Sequence, residues 1–183
     1  MISKSAKISN SVTIIGDCKI GENVVIYGDS YIEDCEIGDN TTIWSSALKH
    51  SHIGADCTVG PFAHVREHSD IGDKVRVGNF VEIKKSTIGS GSKLAHLTYV
   101  GDASIGKNCN IGCGVIFCNY DGKNKHKTTL GDNVFVGSNC NLIAPIEIED
   151  DCFIAAGTTV TESTPKSTFV IGRQKQINKQ RKY

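Results

Sequence analysis

A histidine and a pair of cations are the residues of this chain best suited to chemistry. Arg66 and Lys84 each directly follow an aliphatic residue in a sequence that repeats about every six residues. If three repeats make one turn of the chain, the two cations lie side by side in neighbouring turns, where like charges repel. An anion bound between them would remove that cost. The pair therefore predicts an anion site, against the simpler alternative of two solvated side chains that point apart.

His96 stands two residues after an aliphatic residue, and the same spacing puts Cys113, Ser138 and Ala156 in its column. Since these three side chains are small, the column predicts a groove in which a long ligand lies against the backbone. An imidazole, with an unperturbed pKa near 6.5, suits general base catalysis at neutral pH. The column therefore predicts His96 as the base at the reactive end of that ligand.

The element that positions these residues is a repeat. Aliphatic residues recur at steps of six or five from Ile8 to Val160, and a small or β-branched residue follows each four positions later. Both classes point the same way on a strand, because side chains alternate with period two. A helix would need steps of three and four. The pattern predicts an all-β parallel β-helix of hexapeptide repeats with about eight to nine coils, as one domain over residues 1–183.

Two segments leave this pattern. The step from Phe117 to Leu130 is thirteen residues long, polar, and contains the turn signal Asp121-Gly122. It predicts an inserted, functional loop at residues 118–129. The repeat stops after Val160, so residues 161–183 are predicted to form a C-terminal arm. The arm is basic from residue 165 onward, either as a solvated tail or as a holder of an anionic ligand.

Composition narrows the function class. Basic and acidic residues number 20 each, so there is no overall charge to attract nucleic acid. No apolar run approaches the roughly 18 residues of a membrane span, and the N-terminus lacks a signal peptide's apolar region. The eight cysteines form no C-x-x-C pair, and most fall at inward positions, which predicts buried free thiols in a reducing, cytoplasmic setting. No metal site is predicted.

Two motifs are specific enough to indicate a family. HLTYVGDA (96–103) and CNYDG (118–122) resemble the acetyltransferase half of the bifunctional glucosamine-1-phosphate N-acetyltransferase / N-acetylglucosamine-1-phosphate uridyltransferase family, and the resemblance runs from about Val59 to Gln176. It implies a left-handed β-helix, acetyl-CoA as co-substrate and an amino-sugar phosphate as acceptor. It also implies a homotrimer with active sites between the prisms, and no nucleic-acid or membrane partner.

The resemblance also implies roles for single residues. His96 is similar to the base that deprotonates the 2-amino group of glucosamine 1-phosphate, Glu82 to a residue that orients it, and Lys125 to one that reaches a neighbouring subunit's site. The implied sugar-phosphate contacts are Arg66, Lys84, Tyr99 and Asn110. The implied acetyl-CoA contacts are Cys113, Asn119, Tyr120, Ser138, Ala156 and Arg173.

Cys113 departs from the family, which usually has alanine there, and predicts sensitivity to thiol reagents. The uridyltransferase domain is not part of the sequence, so coupling to UTP is not expected. Three alternatives stay open: an acetyltransferase for another amino sugar, including a nucleotide-linked one; a γ-class carbonic anhydrase with zinc on His64, His68 and His96; and a non-catalytic scaffold.

Overall fold

The structure, a computed structural model, describes residues 1–181. These residues form 27 strands of two to four residues, with no helix among them and therefore none that could span a membrane. The strands are β1 (Lys7–Ile8), β2 (Thr13–Ile15), β3 (Lys19–Ile20), β4 (Val25–Tyr27), β5 (Tyr31–Glu33), β6 (Glu36–Ile37), β7 (Thr42–Trp44), β8 (Ala47–Lys49), β9 (His52–Ile53), β10 (Thr58–Val59), β11 (His64–Arg66), β12 (Asp70–Ile71), β13 (Arg76–Asn79), β14 (Glu82–Lys84), β15 (Thr87–Ile88), β16 (Lys93–His96), β17 (Tyr99–Gly101), β18 (Ala103–Ile105), β19 (Asn110–Ile111), β20 (Ile116–Cys118), β21 (Thr128–Leu130), β22 (Phe135–Val136), β23 (Asn141–Ile143), β24 (Ile146–Ile148), β25 (Phe153–Ile154), β26 (Thr159–Val160) and β27 (Phe169–Val170).

Three parallel sheets form the sides of a prism. Their strand orders are β1-β4-β7-β10-β13-β16-β19-β22-β25-β27, β2-β5-β8-β11-β14-β17-β20-β23-β26 and β24-β21-β18-β15-β12-β9-β6-β3. Nearly every strand pairs with the strand three places along the chain, so three strands make one coil. The predicted all-β parallel β-helix is confirmed.

The coil stack extends by one side beyond the nine coils at the upper end of the prediction. The longest sheet has ten strands, against the eight to nine coils read from the repeat. Strands β1 to β26 each contain one predicted aliphatic position, whereas β27 was missed. The reason is that the polar Thr164, rather than an aliphatic residue, bridges to Ile148 on the third side of the last coil, and Pro165 follows it.

The interior follows the two-class pattern of the repeat. The aliphatic residues are buried, and Ile32, Ile83 and Leu94 have no exposed surface. The cysteines at the small inward position are buried as well: Cys18, Cys57, Cys109, Cys140 and Cys152. The prediction of small buried thiols at these five positions is confirmed, and Cys35, Cys113 and Cys118 are free as well. Burial raises the pKa of Cys35 to about 11, so this thiol stays protonated and unreactive at neutral pH.

The corners of the prism require left-handed backbone. Asparagine and aspartate, which tolerate this conformation, occupy many of these turns. The corner between the ten- and nine-stranded sheets differs, since Phe62, Phe80 and Leu97 stand there with φ of 58°, 56° and 47°. Their exposed fractions are 60%, 54% and 55%, and the two phenyl rings stack at 5.5 Å. Bulky residues rarely adopt positive φ. We call these three residues the apolar ridge.

Both departures from the repeat appear in the structure. The inserted loop lies between β20 and β21, at residues 119–127, within the predicted 118–129. Asp121 holds it, accepting hydrogen bonds at Oδ1 from the backbone N–H groups of Lys123 and Asn124 (both 2.7 Å). These bonds, together with the contact of its carboxylate to His126, keep the pKa of Asp121 far below its usual range.

The C-terminal arm begins later than the repeat suggested. Phe169–Val170 pairs with β25, so the first ten residues of the predicted arm at 161–183 close the last coil. Residues 171–181 are exposed and form no strand or helix. Lys182, counted in the basic tail, lies outside the described residues.

Candidate functional site

His96 ends strand β16 at the corner beside the apolar ridge. Its register partner one coil below is Asn79, the last residue of β13, and His96 Nδ1 lies 2.6 Å from Asn79 Oδ1. The imidazole is exposed, and Asn79 is half-buried. The sequence predicted Glu82 as the residue that orients His96, but in the structure the Glu82 carboxylate contacts Arg66. Asn79 holds the ring instead.

The column above His96 has the predicted composition. The register of β16, β19, β22 and β25 continues from His96 through Cys113 and Ser138 to Ala156. Backbone bonds follow the same steps, since Asn139 N–H donates to the Cys113 carbonyl and Gly157 N–H to the Ser138 carbonyl, both at 2.8 Å. Cys113 is half-buried, directly above His96.

Arg173 comes from the C-terminal arm to the upper end of this column. Its Nη1 donates a hydrogen bond to the Ala156 carbonyl. A guanidinium therefore stands three coils from His96, at the far end of the small-residue column, which we call the groove.

Arg66 and Lys84 are register partners on β11 and β14, as predicted. The sequence indicated an anion between them, and a protein carboxylate stands there. Glu67 contacts Arg66 Nη1, and its other oxygen lies 3.4 Å from Lys84 Nζ. Glu82 Oε1 also accepts from Arg66 Nε (2.9 Å) and Nη2 (2.6 Å). Two carboxylates thus neutralise the pair within the chain.

Lys84 is buried, with a side chain 8% exposed, and the loop residue Lys125 lies against it. The Lys84 ammonium, through a hydrogen bond and its charge, lowers the pKa of Lys125. Arg66, Lys84 and Lys125 thus place three cations beside the carboxylates of Glu67, Glu82 and Asp102. In this chain Lys125 contacts its own prism; its predicted reach to a neighbouring subunit stays a prediction.

Tyr99, Asp102 and Asn119 form a second polar cluster, on β17, just after β17 and just after β20. Asn119 is 6% exposed and donates from Nδ2 to Asp102 Oδ2 at 2.6 Å, with Tyr99 Oη 3.5 Å away. Gly101 makes room for this, because a Cβ there would overlap both Tyr99 Oη and Asn119 Nδ2. The cluster joins a predicted sugar contact, Tyr99, to a predicted acetyl-CoA contact, Asn119.

Two predicted site residues lie apart from these clusters. Asn110 sits on the ten-stranded sheet, between Lys93 and Phe135 in register, whereas Tyr99 and the cation pair are on the nine-stranded sheet. Tyr120 projects from the loop, 60% exposed, with its hydroxyl bonded to the Gly122 carbonyl at 2.8 Å. Within this single chain neither reaches His96.

Sequence reasoning missed three residues of the site. Asn79 could have been found, because it occupies the position of His96 one coil earlier. Asp102 could have been suspected from the conspicuous HLTYVGDA motif. Glu67 had no signal, since its role depends on how its side chain turns between two cations.

The comparisons with known proteins agree with the fold and narrow the family. Residues 1–78 match a family described as the GMPPB C-terminal domain, and residues 127–162 one described as the hexapeptide repeat of succinyl-transferase. Bifunctional protein GlmU of Clostridium acetobutylicum is 52% identical over 90% of this chain and 36% of its own length. GlmU of Shouchella clausii is 49% identical over 92% of this chain and 37% of its own length.

The chain is a homologue of part of GlmU. It spans about a third of the length of these GlmU relatives. Solved structures share the fold at lower identity. UDP-N-acetylglucosamine acyltransferase from Campylobacter jejuni has a TM-score of 0.62 at 18% identity, covering 95% of this chain and 72% of that one. LpxA from Bacteroides fragilis has a TM-score of 0.66 at 22% identity, covering 92% and 70%.

The geometry of the described residues disfavours the zinc alternative. The His68 ring lies tilted against the His50 ring, with centroids 5.9 Å apart, and His96 is bonded to Asn79. His64 lies on β11, in register with Glu82. Among residues 1–181, the set of three metal-ligating groups within 4.8 Å of one another is Glu33, Asp34 and His50, which contains none of the three histidines that an anhydrase site would need.

Proposed function

We propose that this chain is an N-acetyltransferase that converts glucosamine 1-phosphate and acetyl-CoA to N-acetylglucosamine 1-phosphate and CoA. The observation that carries the proposal is the position of His96 at the foot of the groove, one coil from Lys84 and two from Arg66. A base, an anion site and a channel for a long thioester therefore occur on successive coils. Homology to GlmU over about nine-tenths of the chain supports the same activity.

The proposed chemistry uses few protein groups. The 2-amino nitrogen of the sugar attacks the thioester carbonyl carbon, and His96 Nε2 accepts the proton that this nitrogen loses. The C–S bond breaks as the amide forms, and CoA leaves as its thiol once protonated. The phosphate takes the position of the Glu67 carboxylate between Arg66 and Lys84, where two charge-assisted contacts fix the sugar. Such positioning and proton transfer account for most of the catalysis expected here.

The groove fits the pantetheine arm of acetyl-CoA. Successive coils stack at about 4.8 Å, so the three steps from His96 to Ala156 cover about 14 Å, an extended chain with the thioester at the base and the nucleotide at the top. Arg173 stands at the top, where its guanidinium suits the phosphates. Lys175 and Lys179 follow Arg173 in the same basic tail.

The apolar ridge supports a homotrimer with sites between prisms. Phe62, Phe80 and Leu97 lie beside Asn79 and His96 and are more than half exposed in the single chain. Exposed aromatic residues of this size are typical of protein interfaces. A neighbouring prism packed against the ridge would cover His96 and could supply the missing contacts of Asn110 or Lys125. Sedimentation of the purified chain as a monomer at assay concentration would contradict this assembly.

A thiol-release assay tests the function. Purified chain with acetyl-CoA is given glucosamine 1-phosphate, glucosamine 6-phosphate or a nucleotide-linked amino sugar, and free CoA thiol is measured. Turnover with the 1-phosphate well above the other two supports the proposal. Preference for the nucleotide-linked sugar would replace the acceptor, and no thiol release with any amino sugar would favour a non-catalytic scaffold.

A further inference from the structure

Strands β13 and β16 pair farther than their neighbours. Their register runs from Arg76–Lys93 through Val77–Leu94 to Asn79–His96, two residues beyond the buried aliphatic pair. In the other described pairs of the ten-stranded sheet the register stops at the aliphatic residue or, for β4 and β7, one residue later. The additional pairing of Asn79 with His96 adds nothing to core packing, because both side chains face outward at the corner.

Close approach of the two strands makes the extension possible. A Cβ at Gly78 would collide with the carbonyl of Ala95, so glycine is required immediately before Asn79. Three hydrogen bonds then fix the backbone around His96. Leu97 N–H donates to the Asn79 carbonyl at 3.0 Å, Thr98 Oγ1 to the His96 carbonyl at 2.8 Å, and Gly114 N–H to the same carbonyl at 3.4 Å.

The side-chain contact determines where the imidazole carries its proton. Asn79 Oδ1, an amide oxygen, has no hydrogen to give, so at 2.6 Å from His96 Nδ1 it must accept one. Nδ1 is then the protonated nitrogen of the neutral ring, and Nε2 holds the free lone pair. The opposite tautomer would place two acceptors against each other and leave Nε2 protonated, unable to act as a base.

We propose that Asn79 is a positioning residue that fixes His96 in the Nδ1–H tautomer and turns Nε2 outward. A carboxylate here would make the same bond but add a negative charge beside the ring, which favours imidazolium. The amide orients the ring while adding no net charge. Only the consequence for turnover rests on the proposed acetyltransferase function, since the tautomer itself is a property of the free protein.

The tautomer is measured directly by long-range ¹H–¹⁵N NMR of histidine-labelled chain, at a pH where the rings are neutral. The chain has six histidines, and the His96 signal is the one that His96→Ala removes. We expect the Nδ1–H pattern in the natural protein, and its loss to the Nε2–H form or a mixture in Asn79→Ala. Asn79→Asp should retain Nδ1–H. Asn133→Ala, which removes an exposed asparagine bonded to Asp151 elsewhere on the surface, should leave the signal unchanged.

Kinetics give the second readout. Because Asn79 touches the base and not the substrates, Asn79→Ala should lower kcat by about 10²-fold or more while both KM values stay within about twofold; a wrong tautomer in a related arrangement costs up to about 10⁴. Asn79→Asp should recover part of the lost kcat.

The outcomes separate the two proposals. An Nε2–H signal in the natural protein, or an Asn79→Ala signal identical to it, would overturn the role of Asn79. A natural protein with the Nδ1–H signal but no acetyl transfer would uphold the tautomer assignment and refute the proposed function.

Discussion

The N-terminal coils, residues 1–58, and the site coils, residues 59–120, have the same interior and different exteriors. Ile32 and Ile83 stand at the same position of the nine-stranded sheet, three coils apart, and neither has exposed surface. Outside, the N-terminal coils carry ion pairs such as Lys19–Glu36, with side chains 62% and 55% exposed, which contribute little to stability.

The site coils instead bury polarity. Within residues 1–181, Lys84 and Asn119 are the only buried polar side chains other than serine and threonine; Lys84 contacts Glu67 and the loop residue Lys125, and Asn119 contacts Tyr99. Burying an ammonium or an amide is costly unless it is compensated. In this fold the buried aliphatic residues are the same in every coil and therefore do not indicate where a functional site lies. The site is indicated by buried polar groups that the repeat does not require.

Replacing the proposed base, His96, should give the largest difference in kcat between variants of the two regions. His96→Ala is expected to lower kcat for acetyl transfer by about 10²–10⁴-fold, because it removes the proposed acceptor of the amine proton. Its melting temperature should stay close to that of the natural protein, because the imidazole is exposed.

His52→Ala in the N-terminal coils is the matched control. His52 is also an exposed histidine, bonded to Asp70 at 2.7 Å, and its removal should not affect turnover. Equal losses of kcat in the two variants would abolish the functional distinction between the regions.

Core truncation should affect stability in both regions and activity in only one. Ile32→Ala and Ile83→Ala each remove a fully buried side chain and should each lower the free energy of unfolding by about 2–5 kcal/mol, measured by denaturant titration. Ile83 lies between Glu82 and Lys84, so its truncation should also raise KM for the sugar phosphate. An equal rise in this KM for Ile32→Ala would contradict the assignment of the sugar-phosphate site to the site coils alone.

The smallest expected difference between the two regions is in KM, when a cation is removed at the same position of neighbouring coils. Arg66→Ala should raise KM for glucosamine 1-phosphate about ten- to hundredfold, the equivalent of losing about 1.5–3 kcal/mol of charged hydrogen bonding, with KM for acetyl-CoA little changed. Lys49 occupies the same position one coil below and pairs with Glu33 at 3.2 Å. Lys49→Ala should leave both KM values near those of the natural protein, and a comparable rise would mean that the column acts only through long-range charge.

The sequence predicted what depends on spacing. Hexapeptide periodicity was sufficient for the three sheets, the Arg66–Lys84 pairing and the groove above His96, because a stacked coil turns sequence distance into spatial adjacency. The periodicity did not predict contacts that depend on the direction in which a long side chain points. Glu82 turns to Arg66, and Glu67 reaches both cations, which no register specifies. It failed also at the last coil, where Thr164 replaces the expected aliphatic residue.

The Glu67 carboxylate between Arg66 and Lys84 has a consequence for selectivity. On the proposed function it acts as a resident competitor, so an incoming ligand must displace a full negative charge before it binds. A phosphate monoester, carrying about −1.5 to −2 at neutral pH, can exceed that threshold, whereas a singly charged acceptor only matches it. Glu67→Gln should therefore narrow the preference for phosphorylated over carboxylated sugars, as measured by competition binding. A side chain that neutralises the two cations would then also exclude weaker anions.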